Sequence, residues 1–140
     1  MIVKRATAAR DFEDIDALQR LTLPGDRPCD VGVGAWWVVR SVRGDPIAFA
    51  GVRRSVRWAD CGYLCRSGVD PAWRGLGLQK RLIALRERHA KASGMTWLIT
   101  DTTKNPASSN SLIARGFRLY DPADPWGGRH TLYWRKRLDR

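Results

Sequence analysis

Between residues 35 and 69 the chain carries three β-rich runs joined only by tight turns, and this stretch limits the possible folds more than any other. AWWVVRSV is followed by Arg43-Gly44-Asp45, PIAFAGVRRSV by Trp58-Ala59-Asp60, and CGYLCRSGV ends the series. Strands this close in sequence must fold back on one another, because a parallel pair needs a crossover of a dozen or more residues. An antiparallel meander is therefore predicted.

The flanks complete the pattern. Residues 2–7 read as a short strand, and DFEDIDALQRL places Phe12, Ile15, Leu18 and Leu21 at helical spacing with acids in the first turn, where the helix dipole favours them. LPGDRPCDVGVG, residues 23–34, reads as a loop. After the meander, a helix is expected from about Gly75 to Ser93, with Leu78, Leu82, Leu85 and His89 on one face and Gly94 as its stop. MTWLIT reads as a strand, NPASSNSLIARG as a short helix ended by Gly116, FRLYD as a strand, DPADPWGGR as a loop and HTLYWRKRL as a closing strand. The order β-α-βββ-α-β-α-β-β predicts an α+β fold around a mainly antiparallel sheet.

A chain of 140 residues suits one domain, 1–140, with a sizeable core. No apolar run reaches the roughly 20 residues of a transmembrane helix, and the first residues lack the apolar block of a secretion signal, so a cytoplasmic protein without membrane attachment is expected. Three cysteines, Cys29, Cys61 and Cys65, fit a reducing compartment. Cys61 and Cys65 lie four residues apart in a predicted strand, about 13 Å, too far to share a tetrahedral ion. With His89 and His130 as the only histidines, no metal site is expected. The formal charge of +11 favours anionic ligands, but the arginines are scattered without a basic tail and read first as a solvated surface.

The segment VDPAWRGLGLQKRL, residues 69–82, carries the most specific chemistry. Gly75 and Gly77 stand where a strand ends and a helix begins, baring N–H groups at the positive end of the helix dipole, and Arg74, Lys80 and Arg81 add positive charge. A pyrophosphate suits such a place. The dinucleotide fingerprint would need a third glycine where Lys80 stands, and the GxxxxGK[ST] phosphate loop is absent.

Val69-Asp70-Pro71 with Arg74-Gly75-Leu76-Gly77-Leu78-Gln79 resembles the acetyl-CoA-binding motif A of the GCN5-related N-acetyltransferases, the GNAT family, although Gln79 replaces a small residue. Asn105-Pro106-Ala107-Ser108, with Gly116-Phe117 following, is similar to that family's later helix. The resemblance implies a sheet of about seven strands flanked by helices, with a splayed central pair. It implies that acetyl-CoA is the acyl donor, without a metal, and that an acceptor amine attacks the thioester directly. Ser67, Gly68 and Val69 would line the pantetheine arm; Arg74, Gly75, Leu76, Gly77, Leu78, Gln79 and Lys80 would hold the pyrophosphate; Asn105 and Ser108 would close the other side.

The family's usual tyrosine proton donor falls here on Leu112, so Ser109, Ser111, Tyr120 and Tyr133 are the substitutes to consider, and Asp60, Asp101 and His130 are candidate bases. Asp26, Asp30, Trp36, Trp37 and Trp126 are the acceptor-side residues to examine; Trp36 and Trp37 point to opposite faces, which places at least one in the core. Two other readings compete with an N-acetyltransferase acting on a small molecule or protein amine. One is a CoA-binding domain without activity, suggested by Leu112, and the other is a nucleic-acid module, disfavoured by the dispersed charge. A homodimer is compatible with the sequence, which does not name the acceptor.

Overall fold

The computed structural model describes residues 1–138. Its strands are β1 (Ile2–Arg5), β2 (Ala35–Arg40), β3 (Pro46–Arg54), β4 (Cys61–Val69), β5 (Trp97–Thr103), β6 (Arg118–Leu119) and β7 (Thr131–Arg137), and its helices are α1 (Ala9–Thr22), α2 (Leu78–Ala92) and α3 (Pro106–Ala114). This is the α+β order predicted above. The strands form a seven-stranded sheet in the order β1-β2-β3-β4-β5-β7-β6, antiparallel everywhere except between β4 and β5.

Alternation along the strands assigns the two faces. Trp36, Val38 and Phe49 pack with Ile15 and Leu18 of α1, whereas Val39, Ala48, Ala50 and Val69 pack with Leu78 and Leu82 of α2. The second face continues through Trp37, Val52, Leu64 and Leu98 to Leu112 of α3 and Trp134 of β7. Trp36 and Trp37 are 1% and 6% exposed, so both belong to the core, one on each face. Gly51 is required beneath Trp36, because a Cβ there would lie 2.6 Å from the indole.

Boundaries moved where local geometry overrode pattern. The helix expected from Gly75 begins at Leu78, because Gly75 and Gly77 have φ of 83° and 75°, in the left-handed region that helical residues do not use. Its buried stripe is Leu78, Leu82, Ile83, Arg86 and Ala90, displaced from the expected one; His89 is half-buried, edge-on to Trp37. The displacement puts an arginine in the interior.

Asp11 anchors α1 to the sheet. Its carboxylate accepts from the N–H groups of Thr7 and Ala8 at the start of the helix and pairs with Lys4 at 2.9 Å and Arg40 at 3.0 Å. Lys4 above all, against the opposing cost of burial and with help from Arg40 and the two N–H groups, holds this carboxyl far below the usual carboxylate range.

Candidate active site

The centre of the sheet is open. β4 and β5 pair only from Cys61↔Trp97 to Tyr63↔Ile99, leaving Leu64–Val69 and Thr100–Thr103 without ladder partners across the gap. The Thr100 hydroxyl donates to the Leu64 carbonyl at 3.0 Å at the point of divergence. Beyond that point a cleft of about 310 Å³ runs between the strands.

A bulge in β4 sorts the side chains at this gap. Ala50 pairs with Ser67 and Val52 with Leu64, so Cys65 and Arg66 together stand opposite Gly51. Ser67 keeps the α2 face, where its hydroxyl meets Oε1 of Gln79 at 3.0 Å, while Arg66 reaches Asp26 in the loop after α1 at 2.9 Å. Cys65 packs on the α1 side too, beside Leu23 and Cys29. The cleft thus has two mouths, one on each face of the sheet.

On the α2 side the loop 74–77 leads into the helix. Pro71–Trp73 forms a single 3-10 turn capped by Asp70, whose carboxylate accepts from the Ala72 N–H at 2.9 Å. The first N–H to return to the backbone after it is that of Arg81, bonded to the Gly77 carbonyl; those of Gly75 through Lys80 meet no acceptor among the described residues. A Cβ at Gly75 or Gly77 would meet nothing within 4 Å, so the glycines serve the positive φ and leave the approach clear. A run of bare N–H groups at a helix N-terminus is an anion cradle. The residues present fit a pyrophosphate such as that of CoA.

On the α1 side the cleft is polar and charged. Asp101 of β5 accepts from the Tyr63 hydroxyl at 2.7 Å and from the Trp126 indole at 2.8 Å, both on Oδ2, leaving Oδ1 without a protein partner among the described residues. Burial, then the Asp101 charge, pushes the Tyr63 phenol well above its ordinary value, so it remains a donor. Burial likewise pushes the Cys65 thiol up to about 12, Cys29 adding to it and the nearby Arg53, Arg86 and Arg66 opposing it. Arg86 is 2% exposed, donates to the carbonyls of Leu82 and Gly51, and is pushed by burial down to about 10.

A family model described as "Acetyltransferase (GNAT) family" matches residues 8–117. The chain belongs to the GNAT acetyltransferase family. Its fold is similar to that of the ribosomal-protein-S18-alanine N-acetyltransferase from Escherichia coli, at 13% identity and a TM-score of 0.76 over 99% of this chain and 96% of that one. It is similar also to the IAA acetyltransferase from Bacillus cereus, at 18% identity and 0.77 over 97% and 98%. N-acetylglutamate synthase from Neisseria gonorrhoeae, solved with coenzyme A and N-acetyl-glutamate, matches at 19% identity and 0.77 over the whole of this chain and 36% of that one. At these identities the likeness is one of fold. No curated protein sequence matches the chain.

Within this GNAT fold the predicted residues separate. Ser67, Gln79, Asn105, Ser108 and Ser111 line the cleft. Gly68 and Val69 are buried at the end of β4, and Leu78 is buried at the start of α2, so the last two offer backbone only. Arg74, Leu76 and Lys80 are exposed around the cradle, Arg74 donating from Nε to the Val69 carbonyl. Asn105 caps α3, its Oδ1 accepting from the Ser108 N–H at 3.1 Å.

Other candidates lie elsewhere. His130 is exposed in the turn before β7 and does not line the cleft. The Ser109 hydroxyl is engaged with Thr102, the Tyr133 hydroxyl accepts from the Gly127 N–H, and the Tyr120 ring lies under Arg135, its buried hydroxyl without a partner among the described residues. Asp60 is exposed and bonded to Thr96. Asp30 is exposed, folded onto its own loop through the Gly32 N–H, and the core positions of Trp36 and Trp37 remove them from any acceptor surface. Asp26 lines the cleft, and Trp126 touches Asp101. Tyr63, Arg53 and Arg86 also line it and were missed, because alternation in β3 and β4 and the stripe of α2 read as packing. No group of residues that could hold a metal ion is found among the described residues.

Proposed function

We propose that this chain is an N-acetyltransferase that takes the acetyl group of acetyl-CoA on the α2 side of its cleft and delivers it to a primary amine entering from the α1 side. The observation that carries this reading is the run of unpartnered N–H groups from Gly75 to Lys80 beside an open β4–β5 gap. Bound there, acetyl-CoA supplies a reactive thioester. The residues that would hold it are the cradle 74–80, the β4 edge at Ser67, Gly68 and Val69, and Asn105 and Ser108 across the gap.

The residues on the α1 side support direct transfer. Asp101 presents an open carboxylate oxygen to bind the incoming ammonium and take its proton, after which the amine nitrogen bonds to the acyl carbon as the carbon–sulfur bond breaks. Tyr63 and Trp126 hold that carboxylate in place. Burial raises the pKa of the Cys65 thiol at the cleft wall, which disfavours the thiolate an acyl-enzyme would need. Ser111, which lines the cleft one residue before the apolar Leu112, would pass its hydroxyl proton to the departing sulfur and recover one from the newly acylated nitrogen.

Gly77→Asp puts a carboxylate into the cradle at a left-handed position and should weaken acetyl-CoA binding by roughly 10- to 100-fold, as a like-charge contact and a lost phosphate site together imply. Calorimetry on the folded variant reads this directly, and unchanged affinity would show the pyrophosphate lies elsewhere. Leu112, 5% exposed and apolar where a phenol is usual, keeps a second reading in play, a CoA-binding domain without turnover. Amine-dependent release of free CoA separates the two.

A further inference from the structure

The charges around the cleft do not cancel. Arg53, Arg66 and Arg86 line it, against the carboxylates of Asp26 and Asp101. Arg66 bonds Asp26 and the Arg27 carbonyl through its two terminal nitrogens, its Nε being buried without an acceptor among the described residues, and Arg86 bonds two main-chain carbonyls on the α2 side. Asp101 is held by neutral donors. Arg53 alone of the three has a guanidinium without a hydrogen bond or ion pair among the described residues, and its Nε is buried without an acceptor. A guanidinium that lines a cleft with none of its five donors engaged is suited to receive an anion.

Its position says which anion. Arg53 pairs in register with Tyr63 and therefore shares its face of the sheet, the guanidinium carbon lying 5.4 Å from the centre of the phenol ring. The hydroxyl of the same ring donates to Asp101. An anion site and a cation site thus flank one tyrosine at the same mouth of the cleft, on the face opposite the helix N-terminus that suits the pyrophosphate. The CoA phosphates have their own cradle there, which leaves Arg53 for the acceptor.

We infer that the acceptor is an amino acid, a small molecule whose ammonium is received by Asp101 and whose carboxylate is received by Arg53. This rests on the acetyltransferase reading and specifies its second substrate. A diamine would place a second positive charge beside Arg53, and an amide of the same amino acid would leave the guanidinium unpaired. Arg–carboxylate pairing is directional and suits discrimination of this kind.

The test uses the whole chain with acetyl-CoA, following release of free CoA over the common free amino acids, their carboxamides and a diaminoalkane, with acetyl-CoA affinity measured separately by calorimetry. At least one amino acid should exceed its own amide in kcat/KM by roughly 10- to 100-fold, the range of a charge-assisted pair. Arg53→Met should erase that ratio through KM without changing the affinity for acetyl-CoA, and Arg53→Lys should restore part of it. Equal use of acid and amide, preference for the diamine, an unchanged ratio in both variants, or no acetylation of any amino acid by a protein that binds acetyl-CoA would each overturn the inference. Failure to bind acetyl-CoA would instead overturn the acetyltransferase reading on which it stands.

Discussion

The two mouths of the cleft are built from different materials. On the α2 side the site is made of main chain: unpartnered N–H groups from Gly75 to Lys80, the free edge of β4, and small hydroxyl side chains. On the α1 side it is made of side chains from the loop after α1, β3, β4, β5 and the loop at Trp126, among them Asp26, Arg53, Tyr63, Arg66, Asp101 and Trp126. A backbone cradle depends on local conformation and tolerates change in most side chains around it. A side-chain cluster depends on register across strands distant in sequence, and single substitutions should damage it severely.

The comparison breaks first at Asp101. Asp101→Asn keeps the hydrogen bonds from Tyr63 and Trp126 but removes the proton acceptor, so kcat should fall by about 10² to 10⁴ with the acetyl-CoA dissociation constant unchanged. A parallel loss of cofactor affinity would mean that the two mouths are not separate sites. Single-turnover kinetics beside calorimetry makes the distinction.

A second test concerns what holds the α1 side in place. Asp11→Asn leaves Lys4 and part of Arg40 facing a neutral amide in a buried position, and should cost about 3–5 kcal/mol of unfolding free energy, the range for a broken buried pair. The same pair sets an acid limit. Because folding depresses the Asp11 pKa, its contribution is complete above the ordinary carboxylate value near 3.8 and is lost as pH falls below it. Denaturant melts of the wild type should weaken progressively below about pH 4, and the variant should show a shallower decline. Identical pH slopes would remove Asp11 from the account.

The smallest effect sharpens the donor side. Asn105→Ala removes the N-cap of α3 and should cost about 0.5–2 kcal/mol, together with a modest loss of acetyl-CoA affinity, because Asn105 also lines the cleft. Asn110, exposed within the helix, should give an alanine variant within about 0.5 kcal/mol of wild type. Equal losses in both would argue that the helix start does not face the cofactor.

The same division explains what was legible. The glycine loop could be read directly, since a strand end, a glycine pair and a helix start are neighbours in sequence and their consequence is local. Gln79, which stands where the family pattern has a small residue, turns its side chain toward Ser67 on β4. Of the five acceptor-side candidates, Asp26 lines the cleft and Trp126 bonds Asp101, whereas Trp36, Trp37 and Asp30 do not reach it. Trp36 and Trp37 point to opposite faces, which places at least one in the core; because both faces of β2 are covered, both are core. His130 and Asp30 were chosen for their chemistry, and both are exposed in turns away from the gap.

Sequence by itself determined the element order, the meander, the glycine loop before α2 and the family, because each depends on residues within one or two turns of chain or on spacing along it. Only the tertiary structure decided that β4 bulges opposite Gly51 and parts from β5 after Tyr63, which sends Cys65 and Arg66 to one face and Ser67 to the other. A one-residue change of register reverses every side chain beyond it. The mouth in which Arg53, Tyr63 and Asp101 meet from three strands therefore exists only once the sheet has closed, whereas the glycine loop is already implicit in Gly75, Gly77 and the helix that follows.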